Sequence, residues 1–208
     1  MDEAQAKALV DVPRGTMERL EAFTDLLAEE NRRQNLVSKA SLEHVWSRHI
    51  LDSSQLLRFA PVQAESWLDL GSGAGFPGLI VALLHRSKVT LVESRRLRAE
   101  FLRQAAQVMQ VENKVEILCT RLETLAPRPF DVISARAFAP LDRLFALAAP
   151  FSRPGTRWLL PKGRSAKSEL AEAQASWQGE FRLEPSVTDP DAGIVIAEQV
   201  RLKAKGKT

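Results

Sequence analysis

The stretch Trp67-Leu68-Asp69-Leu70-Gly71-Ser72-Gly73-Ala74-Gly75-Phe76-Pro77-Gly78 decides how the rest of this 208-residue chain is interpreted. A short apolar run ends at Leu70, four glycines follow within eight residues, and a helix-like run then extends to His85. Glycine permits a tight turn and lets the backbone approach a ligand with no Cβ in the way. Because the glycines lie between a strand pattern and a helix pattern, they predict a ligand-binding loop at the edge of a parallel α/β sheet.

The spacing of the glycines fits two kinds of ligand-binding loop. Gly73, Gly75 and Gly78 match the G-x-G-x-x-G fingerprint of dinucleotide-binding proteins. Asp69, together with glycines 71, 73 and 75, matches the acidic-x-G-x-G-x-G loop that is typical of enzymes using S-adenosylmethionine (SAM). The glycine spacing by itself leaves both ligands open, as well as a tight turn that binds nothing.

Residues beyond the glycines favour SAM. Pro77 stands at the first turn of the helix, where it removes one of the N–H groups that would hold a pyrophosphate, whereas SAM has no phosphate. Glu93 ends the next apolar run, 22 residues after Gly71, and a carboxylate there can accept hydrogen bonds from both ribose hydroxyls. Asp69 adds negative charge near the loop, which suits a cationic ligand. We therefore predict that Gly71, Gly73 and Glu93 bind SAM.

Short apolar runs alternate with helical patterns on both sides of the loop, which predicts βαβ units. The five expected parallel strands are 67–70, 89–92, 115–118, 132–134 and 158–160. The helices expected beside them are 77–85, 97–111, 141–148 and 166–177. The last two runs, 181–187 and 193–202, are too close in sequence for a crossover helix, so they predict an antiparallel hairpin.

This order of elements predicts an α/β fold of the Rossmann-like class I SAM-dependent methyltransferase type. We expect a mostly parallel seven-stranded sheet that finishes with an antiparallel C-terminal hairpin; a dehydrogenase would more commonly continue with a second βαβ half. Residues 1–60 are predicted to form an N-terminal helical extension packed on a SAM-binding core of residues 61–208. Within the extension, helices are expected to begin at Thr16 and Ser41, since both suit N-cap positions.

The net charge is small but unevenly distributed. The chain has 29 Lys and Arg against 26 Asp and Glu, a net charge of +3. Residues 1–30 hold three bases and eight acids, so this segment carries −5 and the remainder +8. Residues 152–167 contain five bases and no acid, and the C-terminus adds Arg201, Lys203, Lys205 and Lys207. The basic body indicates a polyanionic partner or, alternatively, a solvated mixed surface.

Several classes of protein are excluded by the composition. The single cysteine, Cys119, excludes an internal disulfide and a cysteine-based metal site, and we predict that it is buried and inert. The apolar runs are shorter than the ~18–20 residues of a membrane span, and the acidic N-terminus differs from a signal peptide. We expect a cytoplasmic monomer that binds neither membrane nor metal.

Six segments along the chain occur in the order found in one enzyme family. They are Asn35-Leu36-Val37, Arg48-His49-Ile50-Leu51-Asp52-Ser53, the loop 69–78, Arg121-Leu122-Glu123, Arg136-Ala137-Phe138 and Lys162-Gly163. With them the chain resembles the RsmG (GidB) family of bacterial small-subunit rRNA methyltransferases over about residues 16–200. The resemblance implies transfer of a methyl group from SAM to N7 of a guanosine in the helix-18 loop of 16S rRNA, with the rRNA or the small ribosomal subunit as partner.

The resemblance also implies roles for individual residues at the cofactor. Gly71 and Phe76 would line the SAM pocket, and Leu122 and Glu123 would border the adenine. Arg136 would clamp the methionine carboxylate of SAM or contact an RNA phosphate, because a guanidinium suits either anion. We favour the cofactor for Arg136.

Fewer residues are expected at the RNA. Arg121 and Lys162 would contact rRNA, and Phe138 would stack on a flipped guanine. The resemblance further suggests that Asn35, His49 and Asp52 brace the helical extension against the core, although a simple core position is the stronger interpretation of His49.

No residue is assigned as a catalytic acid or base. Guanine N7 keeps a lone pair at neutral pH, so attack on the sulfonium methyl needs positioning and no prior removal of a proton. Two alternatives stay open at this point. One is a SAM-dependent methyltransferase with a different substrate, and the other is a SAM- or RNA-binding module without catalysis.

Overall fold

The computed structural model describes residues 1–204, so Lys205 and Lys207 of the basic C-terminus lie outside the described residues. The strands are β1 (Ser66–Leu70), β2 (Lys88–Val92), β3 (Val115–Leu118), β4 (Val132–Ala135), β5 (Arg157–Lys162), β6 (Trp177–Pro185) and β7 (Gly193–Leu202). They form one sheet in the order β3-β2-β1-β4-β5-β7-β6. Strands β1 to β5 are parallel, and β7 runs antiparallel to both β5 and β6. The predicted seven-stranded sheet with its antiparallel C-terminal hairpin is confirmed.

The centre of the sheet is β1, which separates the two directions in which the chain adds strands. Trp67 of β1 pairs with Val89 of β2 on one side and with Val132 of β4 on the other. The loops that follow β1, β2 and β4 therefore leave the same edge of the sheet next to one another. In open parallel sheets, this reversal of strand order creates the crevice in which ligands bind.

Helices cover both faces of the sheet and bury alternate residues of the strands. The core helices are α5 (Gly78–Leu84), α6 (Arg96–Val108), α7 (Leu141–Ala148) and α8 (Ala166–Ser176). On one face, Phe23 and Leu27 of the N-terminal extension share an apolar cluster with Phe101 of α6. On the other face, Phe145 of α7 packs against Trp158 and Trp177.

The N-terminal extension contains α1 (Glu3–Leu9), α2 (Arg14–Gln34), α3 (Lys39–Leu42) and α4 (Asp52–Ser54). The predicted start of α2 at Thr16 is wrong, because Pro13 occupies the N-cap and its carbonyl accepts the N–H of Thr16 at 2.9 Å. The predicted start at Ser41 is also wrong, because Ser38 caps α3 and accepts the Ser41 N–H at 3.1 Å.

The expected continuous helix after residue 41 is interrupted. A π-helical turn over Trp46–Leu51 leads into α4, and a 3-10 turn over Gln55–Arg58 follows. The carboxylate of Glu3 in α1 accepts the N–H groups of Trp46 (2.8 Å) and Ser47 (3.0 Å). A side chain from a distant helix thus binds donors that would otherwise pair within a regular helix.

Two further expectations need correction. Strand β6 begins at Trp177, four residues before the expected Phe181, so α8 ends at Ser176. Cys119 is exposed and not buried, because β3 is an edge strand with half-buried side chains and the chain leaves the sheet after Leu118. Within residues 1–204, no helix is long and apolar enough to cross a membrane.

Candidate functional site

The loop between β1 and α5 is held against the end of β2 by its own backbone. The N–H groups of Gly71 and Ser72 both donate to the carbonyl of Val92, at 2.9 and 3.2 Å. Gly71 has φ +64°, and a Cβ there would lie 2.6 Å from the ring of Phe138. Only glycine fits this position, since a side chain would meet both a left-handed backbone and an aromatic ring.

Beside this loop lies a cavity of about 340 Å³, here called the glycine-loop cavity. Its walls come from the segments that follow β1, β2, β3 and β4 and from α7. Six of the residues predicted to bind SAM or RNA lie in these walls: Gly71, Glu93, Arg121, Leu122, Glu123 and Phe138. Most of the sequence prediction is therefore brought together in one place.

Glu93 is the most buried acid of the glycine-loop cavity, with 5% of its surface exposed. Its carboxylate accepts the N–H of Gly73 at 3.0 Å and the N–H of Arg95 at 2.8 Å. A carboxylate has about four acceptor positions, so two backbone donors leave capacity for a ligand's hydroxyl groups. The structure shows a second use of this residue that the sequence did not indicate, which is to tie the glycine loop to the end of β2.

The opposite wall of the glycine-loop cavity combines apolar and charged groups. Leu122 is buried, and the neighbouring Glu123 is exposed and pairs with Arg121 at 3.1 Å. Hydrogen bonds from its own backbone N–H and from Arg121 lower the pKa of Glu123. Arg121, which was predicted to contact RNA, therefore stands at the rim of the cavity that holds the predicted cofactor residues.

A second cavity of about 490 Å³ opens beside the β6–β7 hairpin and is called the hairpin cavity. The segment 137–139 after β4 lines both cavities. Ala137 has φ +52°, an uncommon conformation for a residue with a Cβ, and it turns the chain so that Phe138 lies between the two spaces. The hairpin cavity also contains two other predicted residues, Arg136 and Lys162.

Arg136 connects the core with the N-terminal extension. Its guanidinium lies 3.5 Å from the carboxylate of Asp52 and donates to the carbonyl of Arg48 at 3.0 Å. Burial lowers the pKa of Arg136, and the Asp52 carboxylate opposes this effect. Burial likewise raises the pKa of Asp52, against the effects of Arg136 and of a hydrogen bond from Thr188. Which anion Arg136 binds in the complex stays a prediction.

Phe76 was predicted to line the SAM pocket, but its ring is buried inside the protein. It stacks on His49 with ring centroids 4.7 Å apart, and the guanidinium of Arg136 lies 5.2 Å from its centroid. Burial, followed by nearby Arg136 and Arg48, lowers the pKa of His49 to about 3, so this histidine is neutral. Within residues 1–204, Gly73 and Phe76 contribute no wall to either cavity. Gly73 instead binds the Glu93 carboxylate through its N–H, and Phe76 packs against His49 inside the protein.

Lys162 ends β5 at the wall of the hairpin cavity, and its ammonium is already engaged. It donates to the carbonyl of Ala139 at 2.7 Å and to Glu169 of α8 at 2.8 Å. Burial opposes ionisation of Glu169, but hydrogen bonds from Lys162 and Ser165 outweigh it and lower the pKa of Glu169. The pair joins the segment after β4 to α8.

Asp69 lies beneath the glycine loop and not in a cavity wall. One oxygen accepts a hydrogen bond from Ser134 at 2.6 Å, and the other points toward the start of α5, 2.7 Å from where a Cβ of Gly78 would lie. Burial raises the pKa of Asp69 to about 6, despite the hydrogen bond from Ser134. The expectation that its charge faces a cationic ligand is not supported by this position.

Sequence reasoning missed several residues of the hairpin cavity. Glu169, Thr188 and Asp189 lie in its wall, although none was predicted as a site residue. Thr188 and Asp189 belong to the hairpin loop, and nothing in their local sequence indicates which cavity they reach. Within the described part of the chain, no group of three or more His, Cys, Asp or Glu residues could hold a metal ion.

The sheet order and the crevice at its carboxyl edge define a Rossmann-like protein with the class I methyltransferase fold. A putative O-methyltransferase from Klebsiella pneumoniae superimposes with a TM-score of 0.62 at 17% identity, over 95% of this chain and 96% of that one. An O-methyltransferase from Bacillus cereus in complex with SAH gives the same TM-score, 0.62, at 15% identity over 95% and 96%. At these identities the likeness shows the fold.

The particular family follows from closer relatives. The model of the family described as rRNA small subunit methyltransferase G (GidB) matches residues 16–189. A ribosomal RNA small subunit methyltransferase G from Rhizorhabdus wittichii is 51% identical over 100% of this chain and 97% of its own length. The protein of the same description from Zymomonas mobilis is 49% identical over 96% and 92%. This chain therefore belongs to the rRNA small subunit methyltransferase G (GidB) family, as the sequence resemblance predicted.

Proposed function

We propose that this protein transfers a methyl group from SAM to N7 of a guanosine in the helix-18 loop of 16S rRNA. One observation carries the proposal: two cavities at the carboxyl edge of the sheet meet at Phe138, so a methyl donor in one would lie beside an acceptor base in the other. Membership of the family supports rRNA as the acceptor.

The residues of the glycine-loop cavity fit SAM. The absence of a Cβ at Gly71 leaves room between the loop and Phe138, and the buried Glu93 carboxylate offers acceptors for the ribose hydroxyls. Leu122 offers an apolar wall for the adenine, with Glu123 at its edge. Gly73 and Phe76 hold the loop in place from behind. Arg136, in the wall of the hairpin cavity next to the shared segment 137–139, would bind the methionine carboxylate.

The chemistry asks little of the side chains beyond positioning. When bound, SAM supplies an activated methyl group: N7 of guanine forms the new N–C bond as the S–C bond breaks, and S-adenosylhomocysteine leaves. No side chain must remove a proton, because the N7 lone pair is free. Phe138 and the walls of the hairpin cavity hold the base in line and exclude water, which converts a bimolecular encounter into an oriented one.

The RNA must also be held outside the cavities. Arg121 is exposed at the rim of the glycine-loop cavity, and Lys162 lies in the wall of the hairpin cavity. We assign Arg121 to a phosphate of the rRNA and Lys162 to the acceptor nucleotide, and we expect Phe138 to stack on the flipped base. The helical extension (residues 1–60) would act with the core (61–208) as one monomeric cytoplasmic enzyme.

Methyl transfer from labelled SAM to small ribosomal subunits, prepared from cells that lack this protein, tests the proposal. We expect incorporation at one guanosine and the matching loss of 7-methylguanosine from the 16S rRNA of those cells. Incorporation at a different nucleotide would indicate another substrate. Binding of SAM without incorporation into subunits or naked rRNA would indicate a binding module without catalysis.

A further inference from the structure

The Lys162–Glu169 ion pair presents a donor and an acceptor side by side in the wall of the hairpin cavity. The side chain of Lys162 is 9% exposed and that of Glu169 is 20% exposed, and their polar atoms lie 2.8 Å apart. An ammonium has three N–H groups, and Lys162 uses two of them on Glu169 and Ala139. One N–H therefore remains for a bound molecule, next to a carboxylate that is held in place by α8.

This arrangement is complementary to one type of base edge. Guanine carries the O6 acceptor directly beside the N1–H donor, and uracil carries O4 beside N3–H. Adenine and cytosine have the reverse order, with an amino group beside an unprotonated ring nitrogen. An ammonium next to a carboxylate therefore matches guanine or uracil and repels the other two bases.

The rest of the hairpin cavity fits a flat ring. Phe138, Pro140 and Pro161 supply apolar surface, and the volume of about 490 Å³ lies in the range of small-molecule sites.

Glu169 accepts hydrogen bonds from Lys162, from Ser165 and from the N–H of Leu141 (3.3 Å), which leaves one of its about four acceptor positions for a base. Asp52 is also engaged by three groups, Gln55, Thr188 and Arg136, but its charged partner is a guanidinium that already donates to the carbonyl of Arg48. Asp189 is in the hairpin loop with its side chain 40% exposed.

We propose that the Lys162–Glu169 pair reads the Watson–Crick edge of the acceptor guanine, Lys162 donating to O6 and Glu169 accepting from N1–H. The inference rests on the proposed function, which supplies guanosine as the acceptor. In guanine, O6 lies between N1 and N7, so a base held by O6 and N1–H leaves N7 uncovered for methyl transfer. The pair thus selects the base and also orients it.

Analogues of the acceptor test this assignment on the unaltered enzyme. The same small-subunit rRNA is prepared with guanosine, inosine or 2-aminopurine riboside at the acceptor position. Inosine keeps O6 and N1–H, so we expect its kcat/KM within about fivefold of that for guanosine. 2-Aminopurine keeps N7 and the amino group but has neither O6 nor a proton on N1, so we expect a loss of more than about 30-fold. Equal rates for all three acceptors, or a preference for 2-aminopurine over inosine, would overturn the assignment.

Two variants connect the selectivity to the pair. Glu169→Gln should lower kcat/KM for the guanosine RNA by about 10- to 100-fold. It should also lower the ratio of kcat/KM for the guanosine RNA to kcat/KM for the 2-aminopurine RNA. The affinity for SAM, measured by calorimetry, should stay unchanged. Glu172→Gln, on the exposed side of the same helix, should keep the rate and the ratio of the unaltered enzyme.

Failure of the proposed function and failure of the assignment of the Lys162–Glu169 pair give different experimental results. If the unaltered enzyme methylates none of the three RNAs, the proposed function fails, and the assignment of the pair fails with it. If it methylates guanosine but the ratio is the same in Glu169→Gln, only the assignment of the pair fails. Since the analogue series needs no variant, poor folding of Glu169→Gln would not prevent a decision.

Discussion

The glycine-loop cavity and the hairpin cavity share a wall at Phe138, yet they are built in different ways. The first is shaped by backbone: the N–H groups of Gly71, Ser72 and Gly73 fix the loop on the end of β2. The second is shaped by pairs of charged side chains from different elements of the fold, such as Arg136 with Asp52 and Lys162 with Glu169. A cavity whose shape depends on backbone hydrogen bonds tolerates few changes of backbone conformation, whereas a cavity whose shape depends on charge pairs needs both partners of each pair.

The largest expected effect comes from breaking the backbone side of this comparison. Gly71→Val places a β-branched residue at φ +64° and drives its side chain into Phe138. We expect SAM affinity, measured by calorimetry, to fall by more than about 100-fold. Gly155→Ala is the matched control, because nothing lies within 4 Å of a Cβ there. SAM affinity within tenfold of the unaltered protein would contradict the description of the loop.

The contribution of the Asp52–Arg136 pair can be measured as a change in the stability of the fold. Asp52→Ala leaves the guanidinium of Arg136 buried without its carboxylate, both side chains being less than 20% exposed. We expect the free energy of unfolding in urea to fall by about 3 kcal/mol. Glu18→Ala removes the partner of Arg14 in an exposed pair and should change it by less than about 0.5 kcal/mol. Similar small effects in both variants would show that the Arg136 pair does not hold the extension.

Asp69, the acid beneath the glycine loop, should make the stability of the protein depend on pH. The pKa of Asp69 is about 6 in the folded protein, above the ordinary value of 3.8. The folded state therefore holds the proton of Asp69 more tightly than the unfolded state does. The contribution of this proton to the free energy of unfolding is complete below pH 3.8 and is lost as the pH rises through 6. An asparagine at this position does not titrate, so the variant lacks this loss. As the pH rises from 4 to 7, the free energy of unfolding of Asp69→Asn minus that of the unaltered protein should increase by about 2 kcal/mol.

The measurement for Asp69→Asn is urea unfolding at a series of pH values. Asp25→Asn, at an exposed position of α2, serves as the control and should follow the unaltered protein within about 0.5 kcal/mol. A constant difference between Asp69→Asn and the unaltered protein over the whole pH range would mean that Asp69 is not the titrating group.

A single side chain contributes to the glycine-loop cavity in two ways. Glu93→Ala removes the acceptor that we propose for the ribose and also frees the N–H groups of Gly73 and Arg95. We expect SAM to bind about 10-fold more weakly or worse, since hydrogen bonds to a charged group are involved. Glu100→Ala, which removes an exposed partner of Arg96, should leave calorimetric SAM affinity unaltered. If the affinity for SAM is unchanged in Glu93→Ala, Glu93 does not bind SAM.

The smallest effect is expected at the rim. Arg121 and Glu123 form an exposed pair, with 71% and 41% of their side chains accessible, so Arg121→Ala should change stability by less than about 0.5 kcal/mol. If Arg121 contacts a phosphate, the slope of log affinity for rRNA against log salt should decrease by about 1. Arg14→Ala, outside both cavities, should keep the full slope. An identical slope in both variants would remove Arg121 from the RNA contact.

The same difference explains what the sequence could and could not predict. The glycine-loop cavity follows in part from residues that are adjacent in sequence or that end neighbouring strands, so the sequence pattern predicted Gly71 and Glu93. Leu122 was predicted only through the family resemblance, and it lies in the wall of the same cavity. The hairpin cavity takes shape only after the sheet closes on β7. Glu169 and Asp189 therefore carry no local signal of their common location.

Two differences between the sequence-based expectations and the structure have similarly physical causes. The apolar spacing after residue 41 predicted a regular helix, but the carboxylate of Glu3, more than 40 residues earlier, binds the N–H groups of Trp46 and Ser47. Phe76 lies in the predicted loop, yet its ring turns away from the cavities because His49 and Arg136 enclose it. Both outcomes depend on tertiary partners, which override local propensity.

The position of Phe138 has a consequence for how the two ligands influence each other. One ring forms part of both walls, and the left-handed Ala137 before it fixes where that ring can move. A shift of the ring that improves contact with a molecule in one cavity changes its contact with a molecule in the other. Thermodynamic linkage requires these two influences to be equal: the factor by which a bound donor alters RNA affinity is the factor by which bound RNA alters donor affinity.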